Sequence, residues 1–180
     1  MDKETIIELR KKLGYEDDHS EGPDKLRNIC YEDYSKIIEV RIDRFGITTK
    51  KYPLVGTYGL GNCISIAGLD KKTKTAFMSH NVPIRKLELV NDPLFEELEK
   101  RKIKKEDLEF FLVGGNEEYK EHVQKIEEYL QSKIKNPKIV YRDLIEINDL
   151  KKLGKSLILD SRNGKIYCHN LINIFGKTIS

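Results

Sequence analysis

Residues 57–80 read Thr57-Tyr58-Gly59-Leu60-Gly61-Asn62-Cys63-Ile64-Ser65-Ile66-Ala67-Gly68-Leu69-Asp70-Lys71-Lys72-Thr73-Lys74-Thr75-Ala76-Phe77-Met78-Ser79-His80. Two apolar runs of strand length, Ile64–Leu69 and Thr75–His80, flank the polar connection Asp70–Lys74, an arrangement that predicts an antiparallel hairpin. A hairpin centred on Lys72 sets His80 opposite Ile64, one step from Cys63, and a one-residue shift sets it directly opposite Cys63. Directly opposed side chains have Cβ atoms about 4.5–5.5 Å apart, a distance at which a thiol and an imidazole share a proton. Upstream, the glycines at 56, 59 and 61 let the chain turn tightly and leave N–H groups free to face an anion. Read alone, a cysteine after such a bend is usually a small buried hydrophobe. No Gly-Lys-Ser/Thr follows the glycines, so the bend is not a phosphate loop.

Outward from this hairpin the pattern mixes strands and helices without strict alternation, which predicts an α+β fold of mixed sheets with flanking helices. Ile38, Val40 and Ile42 alternate with charged residues and mark a half-buried strand where the regular domain begins. Asp92-Pro93 predicts a helix running to about Arg101, with Asp92 as N-cap and Pro93 in its first position. Leu108–Val113 reads as a buried strand ending in Gly114-Gly115. Tyr119, Val123, Ile126 and Leu130 then form the apolar stripe of a long helix. Ile139–Tyr141 is a short strand, and Leu157–Asp160 pairs with Ile166–Cys168 across Asn163-Gly164. Residues 1–36 read as an extension: a helix over 3–13 with the stripe Ile6, Leu9 and Leu13, capped by Thr5 or Asp2, then a polar loop from Gly14 to Pro23. Residues 37–180 form the main domain.

Composition narrows the function classes. The 180 residues carry 33 Lys+Arg against 30 Asp+Glu, a net charge of +3, so the sequence lacks the concentrated positive charge of a nucleic-acid binder. Its longest apolar runs, such as Phe110–Val113, fall far short of the ~20 residues that cross a bilayer, so no membrane span is expected. Acids at Asp2 and Glu4 break the apolar stretch a secretory signal needs, and the three cysteines, Cys30, Cys63 and Cys168, are widely spaced. A reduced, cytoplasmic protein is therefore expected. Cys168 alternates with Ile166 as a core residue, while His19, His122 and His169 read as solvent-facing. A zinc site from His80, Cys168 and His169 lacks close ligand pairs, so no metal is expected. The Lys-rich stretch at 100–105, interleaved with acids, reads as a solvated face.

The run Thr57-x-Gly59-x-Gly61-x-Cys63, an apolar strand, an Asp-Lys-rich turn and Met78-x-His80 together resemble the chemoreceptor glutamine deamidase family, CheD. The resemblance covers roughly residues 55–83, with a weaker echo in the Phe110–Gly115 strand and its double glycine. It implies Cys63 as nucleophile, His80 as its base, and Thr57 as the third active-site residue. Backbone N–H groups near Gly61, Asn62 and Cys63 become the expected substrate and oxyanion contacts. By the same implication Cys63 attacks the side-chain amide of a protein glutamine, ammonia leaves, and water hydrolyses the thioester, with no cofactor. His80 is expected to lower the thiol pKa by forming an ion pair. After Gly115 the family's Ile-Gly-x-x-Asn pattern gives way to a charged helix, and a late Gly-Gly segment with Arg is missing. The target protein is therefore open between a chemoreceptor and, because deamidating bacterial toxins share the fold, a host protein reached by a secreted effector. Two other classes stand beside deamidation: another Cys-His acyl transfer such as transamidation or ester hydrolysis, and a non-catalytic interaction module of the same fold.

Overall fold

The computed structural model describes residues 35–83, 85–116, 120–145 and 155–170. Among these, nine strands and two α-helices follow in chain order: β1 (Ile37–Glu39), β2 (Phe45–Ile47), β3 (Leu54–Leu60), β4 (Ile64–Asp70), β5 (Thr75–Asn81), α1 (Glu88–Lys100), β6 (Glu109–Asn116), α2 (Lys120–Lys133), β7 (Lys138–Ile145), β8 (Lys155–Asp160) and β9 (Ile166–Asn170). The class is α+β, built on two mixed sheets of order β1-β3-β8-β9 and β2-β5-β4-β6-β7. Pairs β1/β3 and β6/β7 run parallel, the rest antiparallel. No helix among the described residues is long and apolar enough to cross a membrane.

Alternation along the hairpin sets the layers, because successive strand side chains point to opposite faces. Ile64, Ile66 and Phe77 join Leu94, Leu98, Ile126 and Leu130 of the two helices in one core. Ala67, Leu69, Ala76 and Met78 point the other way and meet Val55, Leu157 and Leu159 of the four-stranded sheet in a second core. The five-stranded sheet is thus covered on both faces, which is why β4 is buried at every position. Residues 1–34, with the expected N-terminal helix, its loop and Cys30, lie outside the described residues, as do the side chains of Cys168 and His169.

Several expectations change. The hairpin is centred between Lys72 and Thr73: Asp70 pairs with Thr75, and His80 pairs with Ser65 rather than with Ile64 or Cys63. The four-residue connection causes this. Lys74 takes a left-handed φ of 53°, while the Asp70 carboxylate accepts the Lys72 N–H at 2.9 Å and the Thr73 hydroxyl at 2.8 Å. Helix α1 starts at Glu88, so Asp92 is not its cap and Pro93 lies inside it. The buried stripe Leu87, Val90, Leu94 and Leu98 begins upstream of the proline, and packing that stripe extends the helix backwards. Asp92 instead accepts the Tyr129 hydroxyl at 2.6 Å and pairs with Lys133 at 2.9 Å. Ile42 is 59% exposed, because the chain leaves β1 after Glu39 and turns. His122 is 4% exposed rather than solvent-facing; its ring hydrogen-bonds the backbone of Asn81, tying α2 to the end of β5. The strand expected at Ile139–Tyr141 extends over Lys138–Ile145, and the glycines after Val113 lie within β6. The pairing of Leu157 with Cys168 and Leu159 with Ile166 stands as expected.

Candidate active site

The bend over Gly61–Asn62 carries the chain from the four-stranded sheet at Leu60 to the five-stranded sheet at Ile64. Cys63 therefore sits where one sheet hands over to the other. Of the three glycines before it, Gly59 alone takes a left-handed φ, 73°, with the Gly61 N–H bonded back to its carbonyl at 2.9 Å. The double glycine of β6 serves the same residue. Gly115 donates its N–H to the Cys63 carbonyl at 2.8 Å. At Gly114, whose φ is 96°, a Cβ would lie 2.4 Å from that carbonyl oxygen. Only glycine lets β6 approach this closely.

Parity then gathers the side chains. His80 shares the face of Ala76 and Met78 on β5, and Ser65 that of Ala67 and Leu69 on β4; both point between the sheets. Cys63, two residues before Ser65, packs against the same inter-sheet core and is half-buried. Cys63 lies one residue before the β4–β5 ladder, beside Ile64, which pairs with Asn81, and its sulfur is not hydrogen-bonded to His80 Nε2. A hairpin one residue shorter would have sent the imidazole to the opposite face. From the other sheet, Thr57 shares the inward face of Val55 and meets His80 directly.

The decisive contact is between Thr57 and His80. The Thr57 hydroxyl donates its one hydrogen to the Val40 carbonyl at 2.7 Å, and its oxygen lies 2.8 Å from His80 Nδ1. A hydroxyl whose hydrogen is committed can only accept, so Nδ1 carries the imidazole proton and Nε2 holds the lone pair. That Nε2 is buried and has no hydrogen-bond partner. No protein-family model matches the chain, and no curated protein matches it at a significant level.

Burial pushes the Cys63 thiol above its ordinary range, and the negative charge of Asp43 adds to this. Burial likewise pulls His80 below its ordinary 6.5, with Asp43 opposing. At neutral pH the pair therefore rests as thiol and neutral imidazole, not as the expected ion pair. Desolvation is the largest cause for both groups, with Cys63 half-buried and His80 buried between the sheets. Such a pair reacts by general-base removal of the thiol proton during attack.

Two neighbours escaped the sequence reading. Ser65 faces His80 across the ladder, and its hydroxyl is buried without a partner. Ser65 is 0% exposed, whereas Cys63 is half-buried. Asp43 lies in the β1–β2 connection, with one carboxylate oxygen buried and unpartnered and the other 3.3 Å from Arg85 Nε. Neither residue stands in a motif. Ser65 becomes visible only when the hairpin register is known, and Asp43 only when the sheets are assembled. A cavity of about 610 Å³ lined by Lys36, Lys50, Lys51, Lys74 and Arg162 lies beyond the β4–β5 turn. That places it roughly 17 Å along β5 from His80, at the other end of the sandwich.

Proposed function

We propose that the protein is a glutamine deamidase acting on protein side chains, as the resemblance to the CheD family implies. The observation that carries the proposal is the Thr57–His80 contact: it leaves a basic nitrogen, buried and unpartnered, on the same inter-sheet face as a half-buried cysteine. In this reading the Cys63 sulfur attacks the carboxamide carbon while its proton passes to His80 Nε2. Thr57 Oγ1 accepts from Nδ1 throughout, holding the ring as imidazolium forms. His80 then gives the proton to the amide nitrogen, the C–N bond breaks, and ammonia leaves a thioester. Water adds to the thioester carbon, its proton goes to Nε2, and the C–S bond breaks as that proton returns to sulfur. One water enters and one ammonia departs, and the carboxamide becomes a carboxylic acid, whose proton passes to ammonia or solvent to leave the carboxylate. The neutral resting pair suits this sequence, because a free Nε2 lone pair must be present at the first step and again at hydrolysis.

Cys63→Ala and His80→Ala are each expected to abolish ammonia release from glutamine-bearing proteins while far-UV circular dichroism stays unchanged. Full release by either variant contradicts the reading. Mass spectrometry of the target separates the outcomes, since deamidation adds about 1 Da whereas resolution of the same thioester by an amine adds that amine's mass.

A further inference from the structure

We propose that Asp43 reads the substrate: its buried carboxylate oxygen accepts an N–H of the target carboxamide and rejects a carboxylate in the same place. The inference rests on the deamidase reading and adds to it a residue selecting amide over acid.

Backbone geometry comes first. The Asp43 N–H donates to the His80 carbonyl at 3.0 Å, and the His80 N–H donates to the Arg44 carbonyl at 3.1 Å. Asp43 and Arg44, just ahead of β2, thus oppose the single residue His80 of β5. The first of them has a φ of 55°, and the turn is closed by the Arg44 N–H on the Arg41 carbonyl at 3.1 Å. This is the pattern of a G1 bulge, a position that glycine fills without strain and that other residues occupy at a cost. Bulges of this kind re-aim side chains beside active sites. Here the residue re-aimed is a carboxylate, directly bonded through its backbone to the residue proposed as base.

The side chain supplies the second observation. Asp43 Oδ2 is engaged by Arg85, which is itself largely exposed, whereas Oδ1 is buried with no donor. Asp43, bonded to His80 through the backbone, and Ser65, the cross-strand partner of His80, each carry a buried polar atom without a partner, as does His80 at Nε2. Buried acceptors are rarely left so, and a cluster of them marks a place where a ligand's donors belong. A carboxamide NH2 brings two donors; a carboxylate brings none and adds a like charge. The electrostatics agree, since the Asp43 charge is felt by both Cys63 and His80. Asp43 thus favours the glutamine side chain on entry and expels the glutamate product.

Iodoacetamide and iodoacetate test this without any protein substrate. Each alkylates a thiol by forming a C–S bond as iodide leaves and the thiol proton is lost; one carries a carboxamide, the other a carboxylate. The ratio of their rates at Cys63, read by peptide mass spectrometry and divided by the same ratio for a free small thiol, cancels changes in thiol ionisation. The wild type is expected to favour iodoacetamide by about tenfold or more over the free thiol, as a nearby like charge requires. In Asp43→Asn, and in Asp43→Gly, which relieves the bulge strain, the normalised ratio is expected to fall to within about twofold of unity. A ratio unchanged in both variants, or changed in only one, overturns the assignment. If Cys63-dependent ammonia release persists beside an unchanged ratio, the Asp43 inference fails and the deamidase reading stands; if Cys63→Ala still releases ammonia, the deamidase reading fails whatever the ratio.

Discussion

A single hydroxyl hydrogen on Thr57 sets the chemistry of His80. Because that hydrogen goes to Val40, Thr57 is an acceptor and the imidazole must present Nε2 as its base. Thr57→Val keeps the shape but removes the acceptor, leaving Nδ1–H buried and unbonded and allowing the wrong tautomer. The expected result is a kcat for ammonia release lower by about tenfold or more with KM little changed, since general-base catalysis contributes about 10²–10⁴. Thr57→Ser is expected to restore most of the rate; equal activity in all three proteins would reduce Thr57 to a packing residue. The spacing of Cys63 and His80 about a hairpin was legible in the sequence and Thr57 came from the family resemblance, while the Thr57–His80 contact itself depends on how the two sheets pack. Asp43 was not legible, because its place depends on a bulge closed by hydrogen bonds to a residue far along the chain.

At the scale of elements, the end of β5 is anchored from the helix side. Asn91 of α1 accepts the Ser79 hydroxyl at 2.7 Å and donates to Asn81 Oδ1 at 2.7 Å and to the Leu87 carbonyl at 2.8 Å. Asn81 in turn donates to Ser79 Oγ at 2.9 Å and to the Ile64 carbonyl at 3.2 Å. Residues on both sides of His80 are thus held in one buried, connected network, which fixes the strand that aims the imidazole. Asn91→Ala leaves Asn81 Oδ1 without its donor in the interior, while the Ser79 hydroxyl keeps the Ile66 carbonyl at 3.3 Å. A loss of about 1–3 kcal/mol is expected for the one unsatisfied group. Thermal unfolding should show it as a Tm lower by several degrees; an unchanged Tm would mean the network holds nothing. The hairpin itself was legible from its two apolar runs and polar connection. Its register was not, because the centre depends on how the Asp70 carboxylate closes the turn. The start of α1 was misread for a related reason: local cap chemistry at Asp92-Pro93 yielded to an apolar stripe that begins earlier and packs on the sheet.

Across the whole molecule, burial between layers sets the response to pH. His80, between the sheets, and His122, between α2 and β5, are both pulled below 6.5 by desolvation. In the unfolded chain each titrates near its ordinary value, so below about pH 6.5 the unfolded state binds more protons than the native one. Stability from these two groups is complete above that pH and is lost as pH falls through it. The held-down carboxylates Asp92, Asp107 and Glu109 act only near and below their ordinary 3.8–4.5, outside this window. Tm is therefore expected to decline between pH 7.5 and 5.5, with a shallower decline in His122→Gln; a flat or rising Tm would contradict burial of the two rings in neutral form. The α+β class was legible because alternating strands and amphipathic helices declare themselves locally, whereas the buried place of His122 was hidden by the charged residues around it.

His80 is proposed as a neutral base with its proton on Nδ1, which nitrogen-15 NMR of the histidine rings across a pH titration can read. The structure predicts that at pH 7 His80 Nδ1 is protonated and Nε2 bare, with a titration midpoint below 6.5. A proton on Nε2 at pH 7, or a ring already charged there, would contradict it.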